Sequence, residues 1–191
     1  MLHRSSSRWT LFVAALALLG YLLGLPAHDV RAQAQPGVDC STASASSSVD
    51  ADPTSPRIAF TNQCGVAVPL GVDVAADFAT QERGLMNDAT LPADQGELFV
   101  FNNISGGNEV QVGFWMKDTP IDLSIAFIGG DFVVRDILDM QAETLDIHIP
   151  PHPYLYAVEA HQGWFASHGI TAGSRVDLSP ALSQLPTAPG P

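Results

Sequence analysis

LSIAFIGGDFVVRDIL, residues 123–138, decides what kind of fold this chain adopts. LSIAFI and DFVVRDIL read as strands, and Gly129-Gly130 between them reads as a two-residue hairpin turn, because glycine alone takes positive φ at both turn positions without strain. Outward from this hairpin the period-two signature recurs. Val66, Val68, Leu70, Val72 and Val74 share one face of a strand; Val110, Val112, Phe114 and Met116 share another; Leu145, Ile147 and Ile149 share a third. GELFVF, YLYAVEA and RVDLS add further strands. Helix is scarce. One short segment, ATQERGLM, starts near Thr80 as N-cap type with Glu82 in its first turn. A second, GWFASH, stops at Gly169, with Ile170 placed for the apolar contact that accompanies a glycine C-cap. Many short strands and one or two short helices predict a mainly β domain, a compact antiparallel or mixed sandwich or barrel, over residues 57–178.

The flanks read differently. Residues 1–32 begin basic and polar, continue through the apolar run LFVAALALLGYLLGL at 11–25, and end in Val30-Arg31-Ala32. That is the pattern of a secretory signal peptide cut after Ala32, with a cut after Ala27 as the alternative. An uncleaved anchor is the rival reading, but the run falls short of the ~20 residues a membrane span needs. Residues 33–56 are small, polar and dotted with proline, too poor in apolar side chains to offset the cost of ordering, and read as a flexible linker. Residues 179–191 read as a disordered proline-rich tail. The expected location is secreted or extracytoplasmic, in a periplasm or cell envelope, with no membrane attachment after cleavage.

Removing residues 1–32 takes away Arg4, Arg8, Arg31 and Asp29, leaving 19 acidic against 5 basic side chains, a net charge of −14. Nucleic acid and anionic lipid need clustered Lys or Arg to release counterions, so neither is an expected partner. Cys40 and Cys64 are the only cysteines. In an oxidising compartment an even pair predicts a disulfide, stabilising by about 3 kcal/mol in the chain-entropy model.

Several chemistries find no motif here: no Gly-x-Ser-x-Gly elbow, no phosphate-cradling glycine loop, no His-Glu-x-x-His helix. His148, His152, His161 and His168 share one stretch, but the prolines of HIPPHP forbid a helix that would set the first two on one face. No metal site and no cofactor are expected, and the histidines are assigned no role. Asn103-Ile104-Ser105 is a glycosylation sequon. The stretch FWMKDTP carries the chain's single lysine, Lys117. Trp115 and Met116 must face opposite sides of a strand, after which Lys117-Asp118-Thr119-Pro120 turns the chain. Two readings stand here: a strand end with wet charges, and a rim site that sets a cation beside an aromatic face and a carboxylate.

ERGLM at 82–86, LPADQGELFVF at 91–101, FWMKDTPIDLSIAFI at 114–128 and YAVEAHQGWFASHGITAGSRV at 154–175 resemble, in order, the blocks of the domain-of-unknown-function 192 family, also called uncharacterised ACR. The resemblance covers roughly residues 58–178 and implies a small, often exported protein with a compact, mainly β fold, a site, and no assigned reaction. It places Arg83, Gly84, Leu85 and Met86 in one block, Trp115, Met116, Lys117, Asp118, Thr119 and Asp122 in a second, and Glu159 and Gly163 in a third. Asp118 departs from the family's usual asparagine and sets an extra negative charge beside Lys117. Three functions follow as alternatives. The first is a non-catalytic binding or accessory domain for a saccharide or envelope-derived ligand, with Arg83, Trp115, Lys117, Asp118, Asp122 and Glu159 forming the site. The second is a structural or interaction module held by pairs such as Arg83 with Glu159. The third is a hydrolase using Asp122 and Glu159 as acid and base.

Overall fold

The computed structural model describes residues 54–101 and 105–185. The leader, most of the 33–56 linker, Cys40 and the Asn103-Ile104 pair of the sequon lie outside them. Among the described residues seven strands form one mixed sheet: β1 (Arg57–Thr61), β2 (Ala67–Ala75), β3 (Gln95–Val100), β4 (Leu123–Ile128), β5 (Val134–Met140), β6 (Tyr156–His161) and β7 (Arg175–Asp177). Three short helices accompany it: α1 (Phe78–Arg83), α2 (Trp164–Ser167) and α3 (Ser179–Leu182). Among the described residues these named helices are one more than the one or two expected. α3 falls where an irregular tail was expected, and it buries Ala181.

The strand order is β5-β4-β6-β3-β2-β1-β7, antiparallel except for β2 with β3. That parallel step needs a crossover, which residues 76–94 supply with α1 in their path. The two edges curl toward each other. Val133 bridges Arg175, Val134 N donates to Ser174 O at 2.9 Å, and Val176 N donates to Phe132 O at 3.0 Å. The sheet is thus a curled half-barrel.

Both faces of this sheet are covered. The inner face gathers Ile58, Phe60, Leu70, Val72, Leu98, Ala126, Ile128 and Val158, with Trp164 and Phe165 of α2 packed edge-on against Phe60. The outer face gathers Ala75, Phe99, Ile125, Phe127, Met140 and Ala157 under Leu85, Leu91, Phe101, Met116 and Tyr154. Double coverage explains why all six residues of β3 and all six of β4 are buried, and why LSIAFI is apolar at nearly every position rather than alternating. Val68, Leu70 and Val72 of β2 point inward as their spacing predicts, and Val74 packs against the same cluster.

The structure corrects four local expectations. The β4–β5 turn does not use its glycines for positive φ: Phe132 takes +60°, closing the loop with its N–H on Gly129 O at 3.0 Å. That conformation costs a non-glycine residue on the order of 1 kcal/mol, and Phe132 is held there by stacking on Tyr156, with centroids 5.7 Å apart. Residues 110–116 are not a sheet strand. They run extended above the outer face through isolated bridges, Val110 to Tyr154 and Phe114 to His148. Leu145, Ile147 and Ile149, expected on a strand face, lie on a second extended segment that bridges to 110–116 through His148, and are 66%, 57% and 57% exposed. Finally, the N-cap of α1 is Asp77, not Thr80; Thr80 is the N3 residue of a capping box in which Asp77 Oδ1 accepts from Thr80 N at 2.9 Å and Thr80 Oγ1 accepts from Asp77 N at 3.2 Å. The end of α2 agrees with expectation: Gly169 is left-handed, Ile170 N donates to Phe165 O at 2.9 Å, and Ile170 is buried.

Candidate functional site

Two segments rise over the outer face and leave a groove between them. α1 is one wall. Its capping box sets its start, and Gln81 Nε2 donates to Val100 O at 2.8 Å, hooking the helix to the end of β3. The extended segment 110–116 is the other wall. It is held by reciprocal backbone bonds of Val110 with Tyr154 and of Phe114 with His148, and by Tyr154 Oη donating to Val112 O at 2.8 Å. Phe114 drops from it between Phe99 and Phe127, edge-on to both at centroid distances of 5.0 and 5.7 Å.

The groove has a wide part and a narrow part. The wide part is a cavity of about 240 Å³ lined by Phe78, Phe99, Phe101, Val112, Phe114 and Trp115. Phe78 is 72% exposed and Trp115 is 43% exposed, one from each wall. The narrow part is a crevice of about 30 Å³ that shares Gln81, Glu82, Phe99, Phe114 and Trp115 with the cavity and ends on Arg83, Thr119 and Glu159. Bare backbone at Gly84 roofs it. A Cβ there would lie 3.2 Å from the Phe99 ring and 3.9 Å from Glu159 Oε2, and the residue's φ of +45° is itself unfavourable for any other side chain.

Glu159 on β6 stands directly across from Glu97 on β3, and the row continues to Asp73 on β2. Glu159 is 4% exposed and Glu97 3%. Among the described residues neither carboxyl has a hydrogen-bond or ion-pair partner. Loss of solvation pushes Glu97 up to about 7, with the Arg83 guanidinium opposing the rise. It pushes Glu159 up to about 8, and there the second influence is repulsion from Glu97. Arg83 therefore acts on Glu97 rather than closing an ion pair with Glu159, as one of the sequence readings supposed.

The sequence-derived residues separate into three places. Arg83, Trp115 and Glu159 line the crevice together. Lys117 and Asp118 sit beside it at the rim, with Lys117 Nζ 5.6 Å from the Trp115 ring centroid and 3.5 Å from Asp118 Oδ2. Asp118 has φ +54°, a conformation that Asp and Asn tolerate best, and its carbonyl accepts from Asn87 N at 2.7 Å. Aspartate at this position thus keeps the turn and sets a negative charge beside Lys117. Asp122 belongs to the scaffold, its Oδ1 accepting from Ala142 N at 2.8 Å and its carbonyl from Gln162 N at 3.1 Å. Met116 faces the core and Trp115 faces out, as alternation requires.

Sequence reasoning missed Glu97, Phe78 and Phe99. A signal existed for Glu97: a charged residue inside GELFVF, in phase with Phe99 in an otherwise buried strand. Three of the four histidines of this stretch have separate local partners for their rings. His161 Nε2 lies 2.7 Å from Leu91 O, His168 Nδ1 2.8 Å from Trp164 O, and His152 Nδ1 3.1 Å from Asp136 Oδ1, while His148 Nε2 is buried without a partner. Two other hollows, of about 390 and 410 Å³, flank β2 with α3 and the ends of β1 and β7, and neither gathers aromatic side chains.

A curled mixed half-barrel whose outer face carries a roofed aromatic groove is the class of architecture that these elements define. The chain belongs to the domain-of-unknown-function 192 family, uncharacterised ACR, whose profile matches residues 60–178. Among solved structures it is similar to a Sinorhizobium meliloti 1021 protein described as a candidate transcription regulator, at 27% identity and TM-score 0.60, covering 68% of this chain and 96% of that one. It is also similar to a protein of unknown function from Novosphingobium aromaticivorans DSM 12444, at 26% identity and TM-score 0.59, covering 66% and 90%. No curated protein matches the chain.

Proposed function

We propose that this protein is a non-catalytic extracytoplasmic binding or accessory domain, that its site is the groove between α1 and residues 110–116, and that its ligand is a saccharide or another envelope-derived fragment. The observation that carries the reading is the pair Phe78 and Trp115, large aromatic side chains left exposed on the two walls of one 240 Å³ cavity. Such side chains are normally withdrawn from water, and a concave site with convergent polar groups is where their exposure has a use. An aromatic face stacks on the apolar face of a sugar ring, and Gln81, Glu82 and Arg83 at the narrow end supply hydrogen-bonding groups. Asp122 is engaged with Ala142, so an Asp122–Glu159 acid–base pair has no support from the arrangement.

Export rests on the 11–25 apolar run and its small-residue end, and N-terminal sequencing of exported protein should begin at Gln33. An intact Met1 held in the membrane would replace export with anchoring. The Cys40–Cys64 bridge rests on these being the chain's two cysteines, and exported protein should gain two hydrogens on reduction. The net acidic surface favours neither nucleic acid nor anionic lipid as partner, so the regulator description of the Sinorhizobium protein is not carried over.

Tryptophan emission tests the binding reading directly. Trp164 is buried, and Trp9 precedes the expected cut, leaving Trp115 as the exposed reporter. Titration with a panel of soluble glycans and cell-wall fragments should shift or quench its emission for at least one member. Phe78→Ala should weaken that binding roughly tenfold, the order of a lost stacking contact with its area. A panel without any response, in protein shown to be folded, rejects the proposal.

A further inference from the structure

We infer that the narrow end of the groove recognises a cationic amine: Glu159 receives a ligand's ammonium group while the ligand's ring or chain lies in the wide cavity between Phe78 and Trp115. The inference rests on the binding reading above and names the chemistry that the same site selects.

Three observations lead to it. The first is an unmatched buried acid. Glu159 is 4% exposed, lines the crevice, and has no hydrogen-bond or ion-pair partner among the described residues. Buried polar groups are almost always satisfied, so one that opens on a cavity points to a partner from outside. The second is the local division of charge. Arg83 opposes the ionisation penalty at Glu97, whereas the electrostatic neighbour felt by Glu159 is Glu97 itself. Asp73 and Asp88 also press on Glu97, and Glu82 lines the same crevice, so the acids gathered there outnumber Arg83. The third is size. The crevice holds about 30 Å³, room for a group of one or two waters and not for a ring, while the adjoining cavity of about 240 Å³ takes a ring or short chain. An ammonium has that small size and three donors for carboxylate oxygens and the Thr119 hydroxyl at the same end. The net charge of −14 left after the leader draws cations toward the surface.

At pH 6.5, below the values of about 7 and about 8 to which burial raises Glu97 and Glu159, the Glu159 carboxyl of the ligand-free protein is protonated. An arriving R–NH3⁺ replaces the Glu159 proton, which leaves to solvent; Glu159 becomes a carboxylate, and the net charge of the site is unchanged. Amine binding therefore releases one proton, and binding of a neutral ligand releases none.

The test uses matched probes on the mature full chain: 2-phenylethylamine against 2-phenylethanol, and glucosamine against glucose and N-acetylglucosamine, read by Trp115 emission and by calorimetry in two buffers of different ionisation enthalpy. In at least one set the amine should bind roughly tenfold tighter than its neutral counterparts at pH 6.5, the order of one charge-assisted hydrogen bond. Calorimetry should show release of about one proton, and affinity for 2-phenylethylamine should rise by up to about tenfold per pH unit between pH 6 and 8. Glu159→Gln keeps the shape of the protonated acid, so it should remain folded by circular dichroism and lose both the amine preference and the proton release. Amines and neutral counterparts binding equally, or an amine preference that survives Glu159→Gln, would overturn the inference and leave the groove intact as a site. Absence of binding by every probe together with every glycan would overturn the inference and the binding reading at once.

Discussion

The two faces of the sheet solve the same problem in different ways. The inner face is closed by the sheet's own curvature and by α2 over a large apolar cluster. The outer face is closed by loops: residues 85–91, the extended segment 110–116 and Tyr154 lie across it. A cover of irregular segments leaves gaps, and at one gap two glutamates sit on adjacent strands where the inner face would carry Val or Leu. Charge is tolerated on the outer face because its cover is incomplete, and the same incompleteness makes a site there.

The inner face should be the more sensitive to a single deletion. Phe60 touches Trp164 and Phe165 edge-on and is fully buried. Phe60→Ala should cost about 3–5 kcal/mol in urea unfolding, the range for an aromatic deleted from a close-packed core, with little change expected in groove chemistry.

The outer face should show itself through pH. Glu97 and Glu159 have folded pKa values raised above the ordinary glutamate range, to about 7 and about 8. The native state therefore holds protons that the unfolded chain has already released, and stability falls as pH rises from about 4.5 toward 8. This trend runs opposite to that of a salt-bridged carboxylate. Glu159→Gln should flatten it, making the variant more stable than the parent by about 1–2 kcal/mol at pH 8 and nearly equal to it at pH 5. Denaturation midpoints at the two pH values decide, and parallel curves would place the acids in a solvated setting.

A smaller effect concerns the loop cover. Tyr154→Phe removes the hydrogen bond to Val112 O and should cost about 1 kcal/mol. Amide exchange should rise at residues 110–116 ahead of the strands. Uniform acceleration across the sheet would mean that the segment is part of the global fold. The smallest effect belongs to Lys117→Met. Its pair with Asp118 is solvent-exposed, so stability should change by less than about 1 kcal/mol. Its position over Trp115 at the rim means that any ligand effect should appear in association rate and salt dependence.

Much of the scaffold was legible. LSIAFI is β4 residue for residue, and GELFVF and YLYAVEA overlap β3 and β6, because strands covered on both faces are apolar runs and runs survive any error in face assignment. DFVVRDIL and the alternating RVDLS overlap the edge strands β5 and β7, and β7 itself buries only its valine. Residues 110–116 and 145–149 misled for the opposite reason. Their alternation is real, but it reflects packing of one short segment against the sheet and of another against that segment, which local pattern cannot distinguish from a sheet strand. The β4–β5 turn was placed correctly and its left-handed residue was not, since stacking of Phe132 on Tyr156 lies across the sheet and beyond any local turn rule.

The candidate site divides in the same way. Arg83, Trp115 and Glu159 were visible through the blocks that resemble the family, and all three line one crevice. Asp122 stood in the same block and went to the scaffold, because block membership records a shared position and not what a side chain faces.

Sequence alone determined the mainly β class, the strands β2 to β7, the glycine stop of α2, the opposite facing of Trp115 and Met116 and the family. These depend on periodicity, on glycine's φ freedom and on motif order, all local or linear properties. Only the tertiary structure decided that Glu97 and Glu159 are neighbours, that the cation beside them is Arg83 with Lys117 at the rim, and that Phe78 and Trp115 share a cavity. Those relations join residues far apart in the chain, Glu97 and Glu159 by 62 positions, through strand register and sheet curl. Register follows from burying both faces of the whole sheet at once, a condition that no single segment contains.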